Sequence, residues 1–121
     1  MGKTASVFEI EQDGEALVIT PVTSLGELAF QQIESRAGDV LDLLNDSSAR
    51  NVVLDLHRAD YFGTTALGFF AKLWKRVRQR KGHLAFCNVS EHGKEILKLT
   101  KLDSLWALCG SRQEALRAVR E

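Results

Sequence analysis

Asn51-Val52-Val53-Leu54-Asp55-Leu56-His57-Arg58-Ala59-Asp60-Tyr61-Phe62-Gly63-Thr64-Thr65-Ala66-Leu67-Gly68 is the stretch on which the reading of this chain turns. Its first part, Val52 to Leu56, is short, β-branched and apolar through its middle, which suits a central strand buried on both faces better than an edge strand. Its last part opens a helix, with Leu67, Phe70, Trp74 and Val77 on one stripe and Lys72, Lys75, Arg76 and Gln79 on the other side. Between them, His57 to Ala66 leads from strand end to helix start. In open α/β sheets functional groups gather at such places, because backbone N–H groups and the helix dipole favour negative charge there. Two roles are open to Thr64 and Thr65. As N-cap residues they would accept a backbone N–H bond, worth about 1 kcal/mol. As exposed hydroxyls they would take a phosphoryl group, adding about −1.5 to −2 charges beside the helix N-terminus without refolding the domain.

Outward from this stretch, strands and helices alternate. Upstream, Val7 to Ile10 and Ala16 to Thr20 flank the turn dipeptide Asp13-Gly14 and predict a hairpin. From Leu28 to Leu44, Ile33, Ala37, Val40, Leu41 and Leu44 recur at intervals of three and four, one buried helix face that Asn45-Asp46-Ser47-Ser48 ends. Downstream, Gly82 stops the basic helix just past a last turn whose cations suit the dipole. Leu84 to Val89 is then a strand, Glu91 to Leu99 a short helix, Leu105 to Cys109 a weak strand and Ser111 to Arg120 a final helix, where Ser111 and Glu114 form a capping-box pattern. The order β-β-α-β-α-β-α-β-α predicts an α/β layer fold, a mostly parallel sheet of four to five strands with helices packed against it. Pro21 is the only proline and no linker or repeat interrupts the 121 residues, so residues 1–121 are expected to form one domain.

Composition excludes several classes. No run approaches the roughly 18 apolar residues of a membrane span, and Met1 to Ala16 carries five charged residues with no apolar core, unlike a signal peptide. A cytoplasmic protein without membrane insertion is expected. Cys87 and Cys109 lie in apolar stretches and read as reduced core thiols. His57, His83 and His92 fit no ligand spacing, and no glycine-rich phosphate loop occurs, so no metal or cofactor is expected. Nothing supplies an oxyanion hole or substrate pocket, which points away from an enzyme. The zero net charge conceals an asymmetry: residues 1–60 carry 4 basic and 11 acidic side chains, residues 61–121 carry 12 and 5. Lys72, Lys75, Arg76, Arg78, Arg80 and Lys81 fall within ten residues. The expectation is a solvated helix face, balanced in three dimensions by the acidic half. A nucleic-acid footprint would need aromatic interleaving that this helix lacks, so no direct nucleic-acid partner is expected.

The run Asn51 to Leu56 followed by Ala59 to Gly68 resembles the signature of the STAS domain, found in bacterial anti-sigma-factor antagonists and in sulfate transporters: a hydrophobic strand ending in Asp-Leu, a short loop, then Asp-Ser-Ser-Gly-Leu-Gly. Lys81-Gly82-His83-Leu84, Cys87-Asn88-Val89-Ser90 and Ile96 to Asp103 follow at family-like distances, so the resemblance spans about residues 16–119. It implies a binding protein. In the antagonist branch the first hydroxyl of the motif, here Thr64, is phosphorylated by an anti-sigma factor that is also a serine-protein kinase of the histidine-kinase-like ATPase fold, and a phosphatase reverses the mark. The unphosphorylated antagonist captures that kinase and frees the sigma factor. The resemblance thus implies Thr64 as the switch, with Asp60, Gly63, Thr65, Lys72 and Arg76 as its docking context.

The sequence departs from the family pattern at four places. Gly63 stands where the family has an acidic residue, Ala66 where it has glycine, and Lys101 where a glycine usually follows the third helix; the N-terminal Gly-Glu-Leu-Asp is absent. Gly63 speaks for the other reading the family allows, a non-phosphorylated STAS module that acts as scaffold of a sensory complex or as cytoplasmic subunit of a lipid or anion transporter.

Overall fold

Gly14, at φ 62, turns β1 (Phe8–Asp13) back onto β2 (Ala16–Pro21), so that Asp13 faces Ala16 across a two-residue loop. A glycine with positive φ at the first loop position is what such a hairpin turn favours. The computed structural model describes residues 8–22 and 30–120, so Val7 and Leu28, the expected starts of the first strand and first helix, lie outside the described residues. After the hairpin come α1 (Phe30–Asp46), β3 (Asn51–Asp55), α2 (Thr64–Gln79), β4 (Leu84–Cys87), α3 (Glu91–Leu99), β5 (Ala107–Cys109) and α4 (Arg112–Arg120). The five strands lie in chain order in one sheet, β1 antiparallel to β2 and every later pair parallel. The expected mostly parallel sheet is thus present, with β3 at its centre.

All five residues of β3 are buried, which explains its apolar run. Val52 and Leu54 join Leu17, Ile19, Phe86 and the helix residues Val40, Leu44, Phe70 and Leu73 in the larger core. Val53, with Val18, Ala85 and Cys87, meets Ala115, Leu116 and Val119 of α4 on the other face. The amphipathic stripe of α2 is displaced from the sequence reading. Ala66, Phe69, Phe70, Leu73 and Val77 are buried, whereas Leu67 and Trp74 sit half-buried at the margin. In α1 Val40 and Leu44 are buried as expected, while the side chains of Ile33 and Ala37 lie outside the described residues. β5 is shorter than its apolar run, because Leu102–Ser104 form a 3₁₀ turn and Trp106 leaves the strand line to stack on Phe86 at 5.1 Å.

Both α2 and α3 end on a lysine in the left-handed region. At the end of α2 the Gly82 N–H bonds to the Val77 carbonyl at 2.7 Å and the Lys81 N–H to that of Arg78 at 3.0 Å, a Schellman closure with Lys81 at φ 60. Gly82 has no alternative: a Cβ there would stand 1.6 Å from the Arg50 carbonyl oxygen. Lys101 takes φ 63 after α3. At the start of α4 the expected capping box is shifted by one residue. Ser111 Oγ accepts from the Glu114 N–H, but the Glu114 carboxylate accepts from the Gly110 N–H rather than that of Ser111.

Asp55, the last residue of β3, is a carboxylate only 3% exposed. Its oxygens accept from Arg112 Nε at 3.0 Å, Asn88 Nδ2 at 3.0 Å, His57 Nδ1 at 2.9 Å and the His57 backbone N–H at 3.2 Å. Burial works against the charged form, but the bonds from Asn88, His57 and Arg112 outweigh it and hold the carboxyl at a pKa of about 2 instead of 3.8. Since ionised carboxylates only accept, His57 Nδ1 carries a proton. Arg112 also reaches Thr20 Oγ1 at 3.3 Å and Glu11 at 3.4 Å, so one guanidinium ties α4 to β1, β2 and β3.

Two outcomes are expected from these features. A folded-state pKa below the unfolded one makes Asp55 stabilise the fold above about pH 4, a contribution of about 2 kcal/mol that is lost as pH falls through about 2. Denaturant unfolding of wild type and Asp55→Asn should therefore show a stability difference that narrows by about that amount over this range; parallel curves would contradict it. Lys101→Gly, by removing a Cβ from a left-handed position, should raise stability by up to about 1 kcal/mol in the same assay.

Candidate partner-binding loop

The loop from Leu56 to Gly63 is held from below and from the side. Leu56 prolongs the β3–β4 pairing, its N–H donating to the Cys87 carbonyl at 3.0 Å, and the Ala59 N–H turns back to the Leu56 carbonyl at 3.1 Å. Leu56, Ala59 and Phe62 are buried, and the Phe62 ring meets Phe70 of α2 edge-on at 5.5 Å. The alternation of buried Leu56, Ala59 and Phe62 with exposed His57, Arg58, Asp60 and Tyr61 makes the loop an anchored arch.

The first turn of α3 clamps its other side. Ser90 is the α3 N-cap, its Oγ accepting from the Gly93 N–H at 2.9 Å and donating to the Asp60 carbonyl at 2.8 Å. His92 Nδ1 stands 3.4 Å from Asp60 Oδ2, and its ring packs on Tyr61 at 5.3 Å. Gly93 leaves room for Phe62, since a Cβ would come within 3.1 Å of that ring and 2.9 Å of Val89. Sequence reasoning left Ser90, His92 and Gly93 out of the site. Ser90 with an acid next to it and a glycine three residues on was the one signal for an N-cap, and nothing in the spacing said which loop it would touch.

The N-cap of α2 is Gly63, which corrects the expectation that Thr64 and Thr65 cap it. Gly63 has extended backbone, φ −104 and ψ −167, and its carbonyl already accepts the first helical bond from the Leu67 N–H at 3.1 Å. A glycine brings no side-chain oxygen, so α2 starts without a side-chain bond from its cap residue, and its first turn holds no acidic residue. Thr64 is the first helical residue, its side chain lying outside the described residues, and Thr65 the second, half-buried. Asp60, three residues before the Gly63 cap, is exposed, and Lys72 is exposed two turns along the helix. Arg76 is placed differently. It is half-buried and donates to Asn45 Oδ1 at 2.6 Å, fastening α2 to the end of α1.

The charge pattern also departs from expectation. Acids of the first half are paired, Glu9 with Arg58 and Glu15 with Arg50 inside that half and Glu11 with Arg112 across the halves. Yet among the described residues none of the six basic side chains from Lys72 to Lys81 is ion-paired with a carboxylate; Arg76 and Arg80 are held by Asn45 and the Ser47 carbonyl, and Arg78 lies over the Trp74 ring at 5.1 Å. Burial, with Asp55 nearby, pushes the Cys87 thiol up to about 12, and burial raises that of Cys109, so both are poor nucleophiles. Among the described residues no group of three or more histidines, cysteines or acids is placed to hold a metal ion, and no helix is long and apolar enough to cross a membrane.

Comparison with known proteins places this arrangement. BtrV of Bordetella bronchiseptica, named as an anti-sigma factor antagonist, is 32% identical over 75 residues, which are 62% of this chain and 65% of BtrV. The unphosphorylated form of the anti-sigma factor antagonist SpoIIAA superposes with a TM-score of 0.77 at 17% identity, covering 93% of this chain and 96% of its own. An anti-sigma-factor antagonist (STAS) domain protein from Planctomyces limnophilus gives 0.77 at 23% identity, covering 94% and 98%. At these identities the structures establish the fold, and the sequence model of the family matches residues 8–115. The strand ending in Asp55, the arched loop and the helix that Gly63 caps fall within the stretch that the STAS domain model matches, and this chain belongs to the STAS domain family.

Proposed function

We propose that the chain is an anti-sigma-factor antagonist whose binding to a serine-protein kinase, itself the anti-sigma factor and of the histidine-kinase-like ATPase fold, is switched by phosphorylation of Thr64. The observation that carries this reading is the start of α2, where the cap is a glycine with no side chain to offer and the first turn itself contains no acidic residue. A phosphate on the first helical residue meets the helix dipole and backbone N–H groups, an interaction worth about 0.3–1 kcal/mol, so the domain accepts the modification without unfolding. The anchored arch delivers that residue to one place in both states.

Release follows from charge. From Thr65 the exposed side of α2 runs through Gly68 to Lys72 and Lys75. A partner docked along this side also covers the helix start, and a phosphate of about −1.5 to −2 charges there repels the carboxylates it brings within a Debye length of Thr64. SpoIIAA, for its part, is known in both an unphosphorylated and a phosphorylated form. Asp60 and Tyr61 extend the surface beyond the helix. The domain supplies the acceptor and the docking surface, and the kinase supplies ATP and the chemistry.

Gly63 favours a second reading, a constitutive STAS module in a sensory scaffold or on the cytoplasmic side of a lipid or anion transporter, because the family's carboxylate before the acceptor is missing. Capture from the source organism's lysate with wild-type and Thr64→Glu baits separates the two. The switch requires an ATPase-fold kinase held by wild type and bound at least tenfold more weakly by Thr64→Glu, about 1.4 kcal/mol. A transporter or scaffold protein held equally by both baits, with no phosphothreonine recovered, would establish the constitutive module instead.

A further inference from the structure

At the far end of α2 the surface opens into a cleft of 490 Å³, between the last turns of α2 and α4 and the starts of β4 and β5. It exists because β5 is short. Its pairing with β4 begins only at Ala85 opposite Ala107, so the corner before it is left to side chains. The floor is apolar, formed by Leu84, Ala107 and Val119 among others, and the half-exposed Leu105 stands at its rim. The walls are polar: Arg78 from the last turn of α2, Lys81 from the turn that closes it and His83 just beyond. No carboxylate is among the residues that line it.

The cations are arranged before any ligand arrives. Arg78 is stacked over Trp74, a second lining residue, at 5.1 Å from the ring centroid. Lys81 is fixed in the left-handed region by the Schellman closure, which sets where its side chain leaves the backbone. Neither makes an ion pair with a carboxylate among the described residues, so their charge is not neutralised from within. The volume falls inside the roughly 300–1,000 Å³ of small-molecule sites, and an apolar floor with a few convergent polar groups at one end is the ordinary composition of such a site.

From this we infer that the cleft binds a small organic anion: a carboxylate or sulfonate head held by Arg78, Lys81 and His83, on an aromatic or aliphatic body that covers Leu84, Ala107 and the edge of Trp74. The inference is independent of any phosphorylation of Thr64, which lies at the other end of the helix.

The probe is 8-anilinonaphthalene-1-sulfonate, titrated into the isotope-labelled chain while backbone amides and the two tryptophan indole signals are followed by NMR. Saturable shifts are expected at Arg78, Lys81 to Ala85, Ala107 and the Trp74 indole, with the Asp60 to Thr65 signals unmoved. Arg78→Glu and Lys81→Glu, each on the surface and checked for an unchanged spectrum elsewhere, should weaken binding at least tenfold. Competition by indole-3-acetate or by decanoate below its micelle concentration tells whether the preferred body is aromatic or aliphatic, and displacement by either supports the site. Shifts absent from the cleft, affinity unchanged in both charge-reversed variants, or displacement by inorganic phosphate as effective as by the organic acids would overturn it.

Discussion

A carboxylate almost without contact with water organises the carboxyl end of this sheet. Burying the Asp55 charge would be strongly unfavourable alone, and it is tolerated because four donors meet its two oxygens. Those donors come from places the sequence holds far apart: the loop just after β3, the residue after β4 and the first residue of α4. Arg112 sits where the α4 dipole disfavours a cation, so its position is explained by Asp55 and not by its own helix. Asn88 is likewise held at φ 58, an uncommon conformation that side chain–carboxylate bonding helps to fix. The seat of α4, the exit of β4 and the entry of the candidate loop thus share one anchor.

The loop inherits its definition from that anchor and from α3. Its entry is set by the His57 bonds to Asp55, its middle by Ser90 and His92, and its exit by Phe62 against Phe70. An arch fixed at three points is compatible with the proposed switch, in which two states would differ by charge rather than by fold, because a rigid surface passes added charge directly to whatever is docked on it. The lysines of α2 fit the same logic. Acids of the first half are drawn into pairs with Arg50, Arg58 and Arg112, leaving Lys72 and Lys75 outside any ion pair among the described residues.

Much of this was legible in the chain. The density of apolar β-branched residues in Val52 to Leu56 marked the central strand, and period-two and period-three-to-four patterns located the hairpin and the helices, because in those segments burial and periodicity coincide. Misreadings arose where tertiary contact overrides local pattern. Trp74 has the spacing of a core residue, yet the shortness of β5 leaves it at the wall of a cleft. Leu105 to Cys109 reads as a strand until Trp106 is drawn inward onto Phe86. Threonine outranks glycine only modestly as an N-cap, and the observed cap was decided by where the chain leaves the arch, which no local preference encodes. Arg76 looked like part of an exposed basic face, but the end of α1 lies against it.

The two ends of α2 carry opposite kinds of vacancy for charge. At the N-terminus the dipole is positive and the first turn itself contains no acid; at the C-terminus the carbonyls are closed by the Schellman turn and the nearby Arg76 and Arg78 are stabilised by the dipole. Cations at the second end are therefore consistent with helix stability even without acidic partners, and so remain open to an external anion. With 16 residues the helix is about 24 Å long, well beyond the roughly 8 Å Debye length at physiological salt. A phosphate on Thr64 therefore cannot reach the cleft appreciably through solvent. Any communication between the two ends has to pass through packing, and the contacts able to carry it are the edge-on rings that Phe70 shares with Phe62 below the loop and with Trp106, which in turn meets Trp74 at the cleft.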